Sequence, residues 1–278
     1  MRFTKMHGIG NDYVYVNTFE EQVPDPAALA VAMSRPHFGI GADGLVLIGP
    51  SSEADFRMRM FNADGSEGEM CGNAVRCIAK YVYERGLTTA STVKLATASG
   101  IKTLELQIDA GRVRQVTVDL GEPQLAPQAI PVNLPGARVL NHPITIQGLT
   151  LQMSCVGMGN PHAVIFVDDP EHFDVHGIGR QIEHDALFPK RTNVEFARVR
   201  ARDRIEMRVW ERGSGETLAC GTGAAAVLVA AVLNGLTERS ARVKLSGGEL
   251  QVAWNPDDNH IYQSGPASFV FDGVWLED

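Results

Sequence analysis

Long apolar runs are scarce in this chain of 278 residues. The longest one, residues 224–233, is far shorter than the ~20 residues that a helix needs to cross a bilayer. The opening residues, MRFTKMHGIG, do not lead into the apolar segment that a secretory signal peptide requires. We therefore expect a cytoplasmic protein with no membrane partner.

Basic residues and cysteines are also few. Acidic residues outnumber basic ones, and the formal net charge is -8 at pH 7. This balance argues against nucleic acid as a partner, because the phosphate backbone is bound by clustered Lys and Arg. The chain has 4 cysteines and no CxxC pair, so a dithiol redox protein is not favoured and thiols are expected in a reducing cytosol.

Motifs for common cofactors are missing. The chain has no phosphate-binding GxxxxGK[ST] loop. Residues 39–44 match GxGxxG, but they lead into the apolar run 45–48, a predicted strand, whereas the dinucleotide-binding loop opens a helix. No lysine has the context of a pyridoxal phosphate Schiff base, and no cysteine or histidine cluster has zinc-site spacing. We expect no cofactor and no metal.

Strand patterns are frequent and helix patterns are few. Alternating or β-branched runs predict strands at residues 12–17, 55–61, 103–108, 113–120, 163–167, 205–210 and 250–254. Two helices are predicted, from Gly72 to Gly86 and from Gly221 to Gly235, each closing with a glycine. The second is apolar on every side and must be surrounded by other elements. The pattern predicts an α+β fold in which a sheet wraps around a central helix.

An internal repeat links two distant parts of the chain. An offset of 149 residues places Cys71 on Cys220, the strand pattern 56–61 on 205–210, and the GIGN segment at 8–11 on the GMGN segment at 157–160. We interpret this as a duplicated domain; the alternative is a coincidence among small residues. The proline-rich stretch 122–143 marks the crossing between the halves.

Each repeat presents a cysteine immediately before a helix. Unpaired N–H groups and the macrodipole at a helix N-terminus favour negative charge, so we expect both thiols to have a lowered pKa and to lie beside an anion site for a carboxylate. If the halves face each other, one thiolate removes a proton from a carbon while the opposite thiol protonates the other face. Cys71 and Cys220 are therefore the candidate catalytic acid–base pair of a racemase or epimerase.

Other polar residues have less distinctive contexts. Cys77 and Cys155 are expected to be small core residues. His162 is either a satisfied structural histidine or a group that tunes a cysteine. Glu211 and Arg212 follow a predicted strand that leads towards Cys220, where a solvated pair and a ligand role are both open.

The chain resembles the diaminopimelate epimerase family. The resemblance covers nearly the full length, and the segment 62–76 is highly specific by itself. It rests on HGIGND at 7–12, NADGSEGEMCGNAVR at 62–76, GNPH at 159–162, RTNVE at 191–195, WERG at 210–213 and ACGTG at 219–223.

The resemblance implies an isomerase of lysine and peptidoglycan biosynthesis that interconverts LL- and meso-diaminopimelate without pyridoxal phosphate or metal. It implies two pseudo-symmetric α/β domains, each a mainly antiparallel sheet around a central helix, with the site in the cleft between them. We place the first domain at 1–120 with 265–278 returning to it, and the second at 121–264. A homodimer is also implied.

The resemblance also implies site roles, carried over by motif. Cys71 and Cys220 would be catalytic, and His162 and Glu211 would tune the thiols. Substrate contacts would come from Asn11, Asn62, Gly72, Asn73, Asn160, Asn193, Glu211, Arg212, Gly221 and Thr222. Some relatives have Gln where this chain has Gly44, so a side-chain contact is not carried over there.

Two other functions stay open at this point. One is a different two-cysteine racemase or epimerase of the proline or hydroxyproline type, although Arg212 favours a substrate with a second charged end. The other is an amino acid binding protein that has lost catalysis, which the presence of both cysteines does not favour.

Overall fold

The computed structural model describes residues 1–276 and divides into two compact units. Unit 1 comprises Met1–Asp119 together with the described residues from Ser264 onward, and unit 2 comprises Leu120–Gln263. Glu277 and Asp278, the end of the predicted returning segment, lie outside the described residues.

Unit 1 contains nine strands and two helices among the described residues. They are β1 (Arg2–Gly8), β2 (Asn11–Asn17), α1 (Pro26–Ser34), β3 (Gly44–Gly49), β4 (Phe56–Asn62), β5 (Glu67–Gly68), α2 (Gly72–Glu84), β6 (Thr92–Thr97), β7 (Gly100–Asp109), β8 (Arg112–Asp119) and, after unit 2 in the chain, β18 (Ser268–Val274).

The strands of unit 1 form a mainly antiparallel sheet. The hydrogen-bonded order is β18-β1-β2-β3-β4-β6-β7-β8, with β5 as an additional short partner of β4. Only the β2–β3 and β4–β6 pairs are parallel in this series, and a connection containing a helix joins the strands of each of them. Parallel neighbours need such a crossover.

Unit 2 repeats this arrangement. Its elements are β9 (His142–Ile146), β10 (Leu149–Gly157), β11 (Pro161–Phe166), α3 (Val175–Glu183), β12 (Asn193–Ala201), β13 (Arg204–Glu211), β14 (Gly215–Thr217), α4 (Gly221–Leu233), β15 (Ser240–Leu245), β16 (Gly248–Trp254) and β17 (Ile261–Gly265), whose last two residues belong to unit 1.

The pairing in unit 2 follows unit 1 strand by strand. The order is β9-β10-β11-β12-β13-β15-β16, with β14 paired to β13. The parallel pairs are β11–β12 and β13–β15, which correspond to β2–β3 and β4–β6 of unit 1. The offset of 149 residues superposes the bounds of α2 on α4 and of α1 on α3 without a shift. The duplication read from two short segments therefore extends through the whole secondary structure.

Helix α4 is the centre of unit 2. Its sequence, GTGAAAVLVAAVL, is buried at every position from Gly221 to Ala231 except Thr222. It contacts strands β10–β13, β15 and β16. A buried side chain such as Leu228 contributes about 1.5–3 kcal/mol relative to an exposed one. The predicted mixed α+β fold with a sheet around a central helix is therefore confirmed.

Two helices were missing from the sequence-based prediction. Helix α1 starts after Asp25, whose carboxylate accepts from Ala28 N at 3.0 Å, and has Pro26 at its first position. Helix α3 starts after Asp174, whose carboxylate accepts from Gly177 N at 2.8 Å. Both are short, and the two glycines of α3 weaken its intrinsic preference, so the sequence signals were the capping aspartates and, for α1, the proline at its first position. None of the helices within residues 1–276 is long and apolar enough to cross a membrane.

Candidate active site

Cys71 lies at the N-terminus of helix α2 in unit 1. Its backbone is extended, with φ -132° and ψ 120°, and Val75 N donates to its carbonyl oxygen at 3.0 Å. The half-buried thiol donates to Asn11 Oδ1 at 3.1 Å, and Asn73 Nδ2 donates to the same oxygen at 3.2 Å. The structure thus brings the predicted residues Cys71, Asn11 and Asn73 together.

The orientation of Asn11 is set from its other side. Asn11 Nδ2 donates to Asp43 Oδ2 at 2.7 Å, and Asp12 N donates to the same carboxylate oxygen at 3.0 Å. Burial raises the pKa of Asp43, and the hydrogen bond from Asp12 N opposes that rise. Asn62, at the end of β4, donates through Nδ2 to Ser66 Oγ at 3.0 Å.

Arg76, one turn into α2, was not singled out by the sequence analysis. It is fully buried, and its Nη2 donates to Asn73 Oδ1 at 2.6 Å while Nη1 donates to Gly72 O at 3.3 Å. Burial lowers the pKa of Arg76, and electrostatic attraction involving Cys71 opposes this shift. Its place within the specific segment 62–76 was the available signal.

Cys220 occupies the matching position at the N-terminus of α4 in unit 2. It is buried, with φ -123° and ψ 109°, and its Sγ accepts from Gly223 N at 3.4 Å. Thr222 Oγ1 lies 3.6 Å from the sulfur. The carbonyl of Gly221 accepts from Gln263 Nε2 at 2.7 Å.

The expected lowering of the Cys220 pKa is wrong. Burial raises the pKa of Cys220 well above its ordinary value, and the carboxylates of Glu211 and Glu195 raise it further. The contacts with Thr222 and with Gly223 N–H act in the opposite direction but are smaller. Desolvation and two negative charges outweigh the helix N-terminus in their effect on the Cys220 pKa.

The groups around Cys220 form a buried polar cluster. His162 is fully buried, with Nδ1 at 2.6 Å from Glu195 Oε1 and Nε2 at 2.8 Å from Asn160 Oδ1. Glu211 accepts a short hydrogen bond from Thr217 Oγ1, and burial raises the pKa of Glu211. The structure therefore places His162 on the carboxylate of Glu195, one of the two that act on Cys220.

Glu195 is the residue of this cluster that the sequence analysis did not assign. Its side chain is fully buried, and its Oε2 has no hydrogen-bond partner among the described residues. A Cβ at Gly223 would lie 2.8 Å from Glu195 Oε1 and 3.2 Å from Cys220 Sγ. Glycine at 223 therefore lets the carboxylate and the start of the helix approach closely.

Asn193 and Arg212 are linked through the backbone. Asn193 is buried, its Nδ2 donates to Pro161 O at 3.0 Å, and its Oδ1 accepts from Arg212 N at 2.8 Å. The exposed Arg212 guanidinium donates through Nη1 to Lys190 O at 3.2 Å. The amide of Asn193 thus holds the segment that carries Arg212.

The repeat is chemically unequal around the two cysteines. At the offset of 149 residues, Glu211 corresponds to Asn62, Glu195 to Val46 and His162 to Tyr13. The parallel registers confirm the equivalence, because His162 pairs with Asn193 and Tyr13 pairs with Gly44. Carboxylate and imidazole side chains thus occupy these three positions in unit 2, where unit 1 has an amide, a valine and a phenol.

Two further cysteines and Gly44 are also buried or closely packed. Cys77 and Cys155 are buried core thiols, as expected, and burial raises the pKa of each to about 12. The described cysteines form no disulfide. A Cβ at Gly44 would lie 2.0 Å from Phe61 O, so this backbone admits no side chain there.

Solved structures define the fold to which these sites belong. A hydroxyproline epimerase from Agrobacterium vitis superposes with a TM-score of 0.66 at 16% identity, covering 98% of this chain and 90% of that one. A phenazine biosynthesis protein of the PhzF family from Enterococcus faecalis superposes with a TM-score of 0.70 at 14% identity, covering 99% of each chain. The protein therefore has the fold shared by these two proteins.

Sequence comparison identifies the family within that fold. The family model for diaminopimelate epimerase matches residues 3–126 and 154–270. The diaminopimelate epimerase of Acetivibrio thermocellus is 57% identical over 273 residues, covering 98% of each chain, and that of Desulfovibrio desulfuricans is 53% identical over 281 residues. The chain belongs to the diaminopimelate epimerase family and is an amino acid epimerase, as the resemblance implied.

Proposed function

We propose that this protein interconverts LL- and meso-2,6-diaminopimelate by inverting one α-carbon, with Cys71 and Cys220 as the acid–base pair. One observation carries the mechanism. In each repeat a cysteine is the N-cap residue of a helix, Cys71 for α2 and Cys220 for α4. The choice of substrate is supported by the family to which the chain belongs.

The electrostatics around Cys220 support a direction for the first proton transfer. The thiol of Cys220 is the proton donor, because its pKa is raised by burial and by the neighbouring carboxylates. Cys71, as a thiolate, accepts the α-proton from the opposite face of the carbon. In the reverse reaction the roles exchange, so one proton enters and one leaves in each turnover. This two-base mechanism requires the site to lie between the two domains proposed from the sequence. The first comprises residues 1–120 and the returning segment 265–278, and the second comprises residues 121–264.

The remaining predicted residues divide by the part of the substrate they would hold. Backbone N–H groups at the two helix N-termini would bind the α-carboxylate and the charge that develops on it during proton removal. The residues proposed there are Gly72, Asn73, Gly221 and Thr222. The distal end would be held by Asn11, Asn62, Asn160, Asn193, Glu211 and Arg212.

Isotope exchange tests this function directly. Protein incubated with LL-diaminopimelate in deuterated water should yield meso-diaminopimelate with one α-deuterium, measured by chiral chromatography and mass spectrometry. The Cys71→Ala and Cys220→Ala proteins are the matched controls and should yield none. Exchange with proline but not with diaminopimelate would contradict the proposed substrate, and binding without exchange would contradict catalysis.

The homodimer implied by the resemblance is a further proposal. Strand β18 carries the exposed apolar side chains Val270, Phe271 and Val274, which support an association surface. Light scattering of the purified protein should give twice the 30.1 kDa chain mass.

The cytoplasmic location expected from the sequence stays a prediction.

A further inference from the structure

A buried carboxylate lies behind the segment that carries Glu211 and Arg212. Glu183, the last residue of α3, is 2% exposed. Its Oε2 accepts from Trp210 Nε1 at 2.7 Å, and its Oε1 accepts from Gly213 N at 3.0 Å. The two donors flank Glu211 and Arg212 in sequence, so one side chain holds both ends of this segment.

The segment held by this carboxylate turns sharply and packs closely on α3. Gly213 has φ 80°, a left-handed conformation that turns the chain directly after Arg212. On the helix side, a Cβ at Gly179 would lie 2.6 Å from Trp210 Cβ, so α3 packs closely on the tryptophan. Arg191 Nη1, at 3.7 Å from Glu183 Oε1, supplies positive charge near the buried carboxylate.

The repeat provides an internal comparison. At the offset of 149 residues, unit 1 has Ser34 in place of Glu183, Phe61 in place of Trp210, and Ala63 in place of Arg212. Phe61 has no indole N–H to donate, and Ser34 Oγ is buried without a hydrogen-bond partner among the described residues. The carboxylate, its indole donor and the arginine therefore occur together in unit 2 and are replaced together in unit 1.

We propose that Glu183 is a positioning residue for Arg212, and that the Glu183–Trp210–Gly213 anchor determines how well the enzyme takes a substrate with a distal carboxylate. This rests on the proposed function, in which Arg212 binds that carboxylate. Among the described residues the Glu183 carboxylate accepts from Trp210 and Gly213, so we expect it to affect substrate capture through Arg212 more than proton transfer.

The test is a double-mutant cycle between Glu183→Gln and Arg212→Ala. Glutamine keeps one oxygen acceptor but places an NH2 group against the second donor, so one of the two anchors is lost. The kcat and KM for LL-diaminopimelate are measured by α-deuterium uptake at enzyme concentrations that quantify slow exchange. We expect Glu183→Gln to lower kcat/KM about tenfold, mostly through KM, because a hydrogen bond to a charged group is lost.

The Arg212→Ala background separates positioning from general stability. If Glu183 acts through Arg212, Glu183→Gln changes kcat/KM less than twofold once the guanidinium is absent. Equal tenfold losses in both backgrounds, or no loss in the parent, would overturn the proposal. Glu171→Gln, an exposed carboxylate of the same unit, is the matched control and should leave kcat and KM unchanged.

A second variant covers the case in which Glu183→Gln does not fold. Trp210→Phe installs the residue found at the equivalent position of unit 1. It removes the indole N–H together with part of the buried ring, and it should show the same dependence on Arg212. A parent protein that exchanges no α-proton of LL-diaminopimelate would refute the proposed function itself. A parent that exchanges normally while the cycle shows no coupling would refute the positioning role alone.

Discussion

The substitution Asn193→Ala separates a structural from a substrate-binding role for a residue predicted to contact substrate. In the structure both polar atoms of this buried amide are engaged within unit 2, one with Pro161 O at 3.0 Å and one with Arg212 N at 2.8 Å. Alanine removes both hydrogen bonds and leaves a carbonyl and an N–H without these partners. We therefore expect a loss of stability together with a displaced Arg212.

The size of this loss follows from the two contacts. A buried polar group left without its partner costs about 1–3 kcal/mol. Pro161 is buried, whereas the Arg212 backbone lies in a partly exposed segment that water can reach, so the second cost falls at the lower end. The sum is about 2–4 kcal/mol, which for a unit of this size lowers the unfolding midpoint by about 5–15 °C.

Thermal unfolding and steady-state kinetics measure the two roles separately. Circular dichroism follows the midpoint, and α-deuterium uptake gives kcat and KM. Asn133→Ala is the matched control, because Asn133 is exposed and donates a single hydrogen bond to Ala186 O at 3.1 Å. It should change stability by less than about 0.5 kcal/mol. An Asn193→Ala protein with the parent's midpoint and a raised KM would refute the structural role and favour a direct substrate contact.

Four further outcomes are expected. Cys71→Ala and Cys220→Ala should each lower kcat/KM by at least about 10²-fold, the lower end for a lost acid–base group; normal turnover in either would refute the two-base mechanism. Burial and the Glu211 charge raise the pKa of Cys220, and Glu211→Gln removes that charge. In the reaction direction that uses Cys220 as the base, the variant should therefore shift the acidic limb of the kcat/KM pH profile to lower pH. An unshifted limb would contradict this. Arg212→Lys should raise KM for diaminopimelate, because the planar fork that binds a carboxylate is lost, and an unchanged KM would exclude that contact. Gly223→Ala should lower kcat while circular dichroism shows a folded protein, because its Cβ would lie 2.8 Å from Glu195 Oε1; parent-like kcat would mean that the carboxylate moves freely.

The secondary structure was predicted best where local pattern and burial agree. Helix α4 is apolar throughout, and both its start near Gly221 and its position at the centre of a sheet follow from that composition. The predicted strand runs lie within a few residues of observed strands, whereas strands such as β1, β10 and β12 were not predicted. Helices α1 and α3 were missed because their stability comes from capping aspartates and from packing rather than from a long periodic pattern.

The sequence alone determined the family, the duplication and the pair of cysteines, because these are carried by the residue types and by their spacing. Tertiary structure decided the electrostatic environment around them. A helix N-terminus is visible in the sequence and predicts a lowered thiol pKa, but Glu211 and Glu195 come to Cys220 from separate strands, and burial is a property of the whole unit. Likewise, Glu183 meets Trp210 and Gly213 only because α3 packs on β13. Electrostatic and hydrogen-bonding partners distant in sequence depend on folded distances, and those distances exist only once the sheet and its helices have assembled.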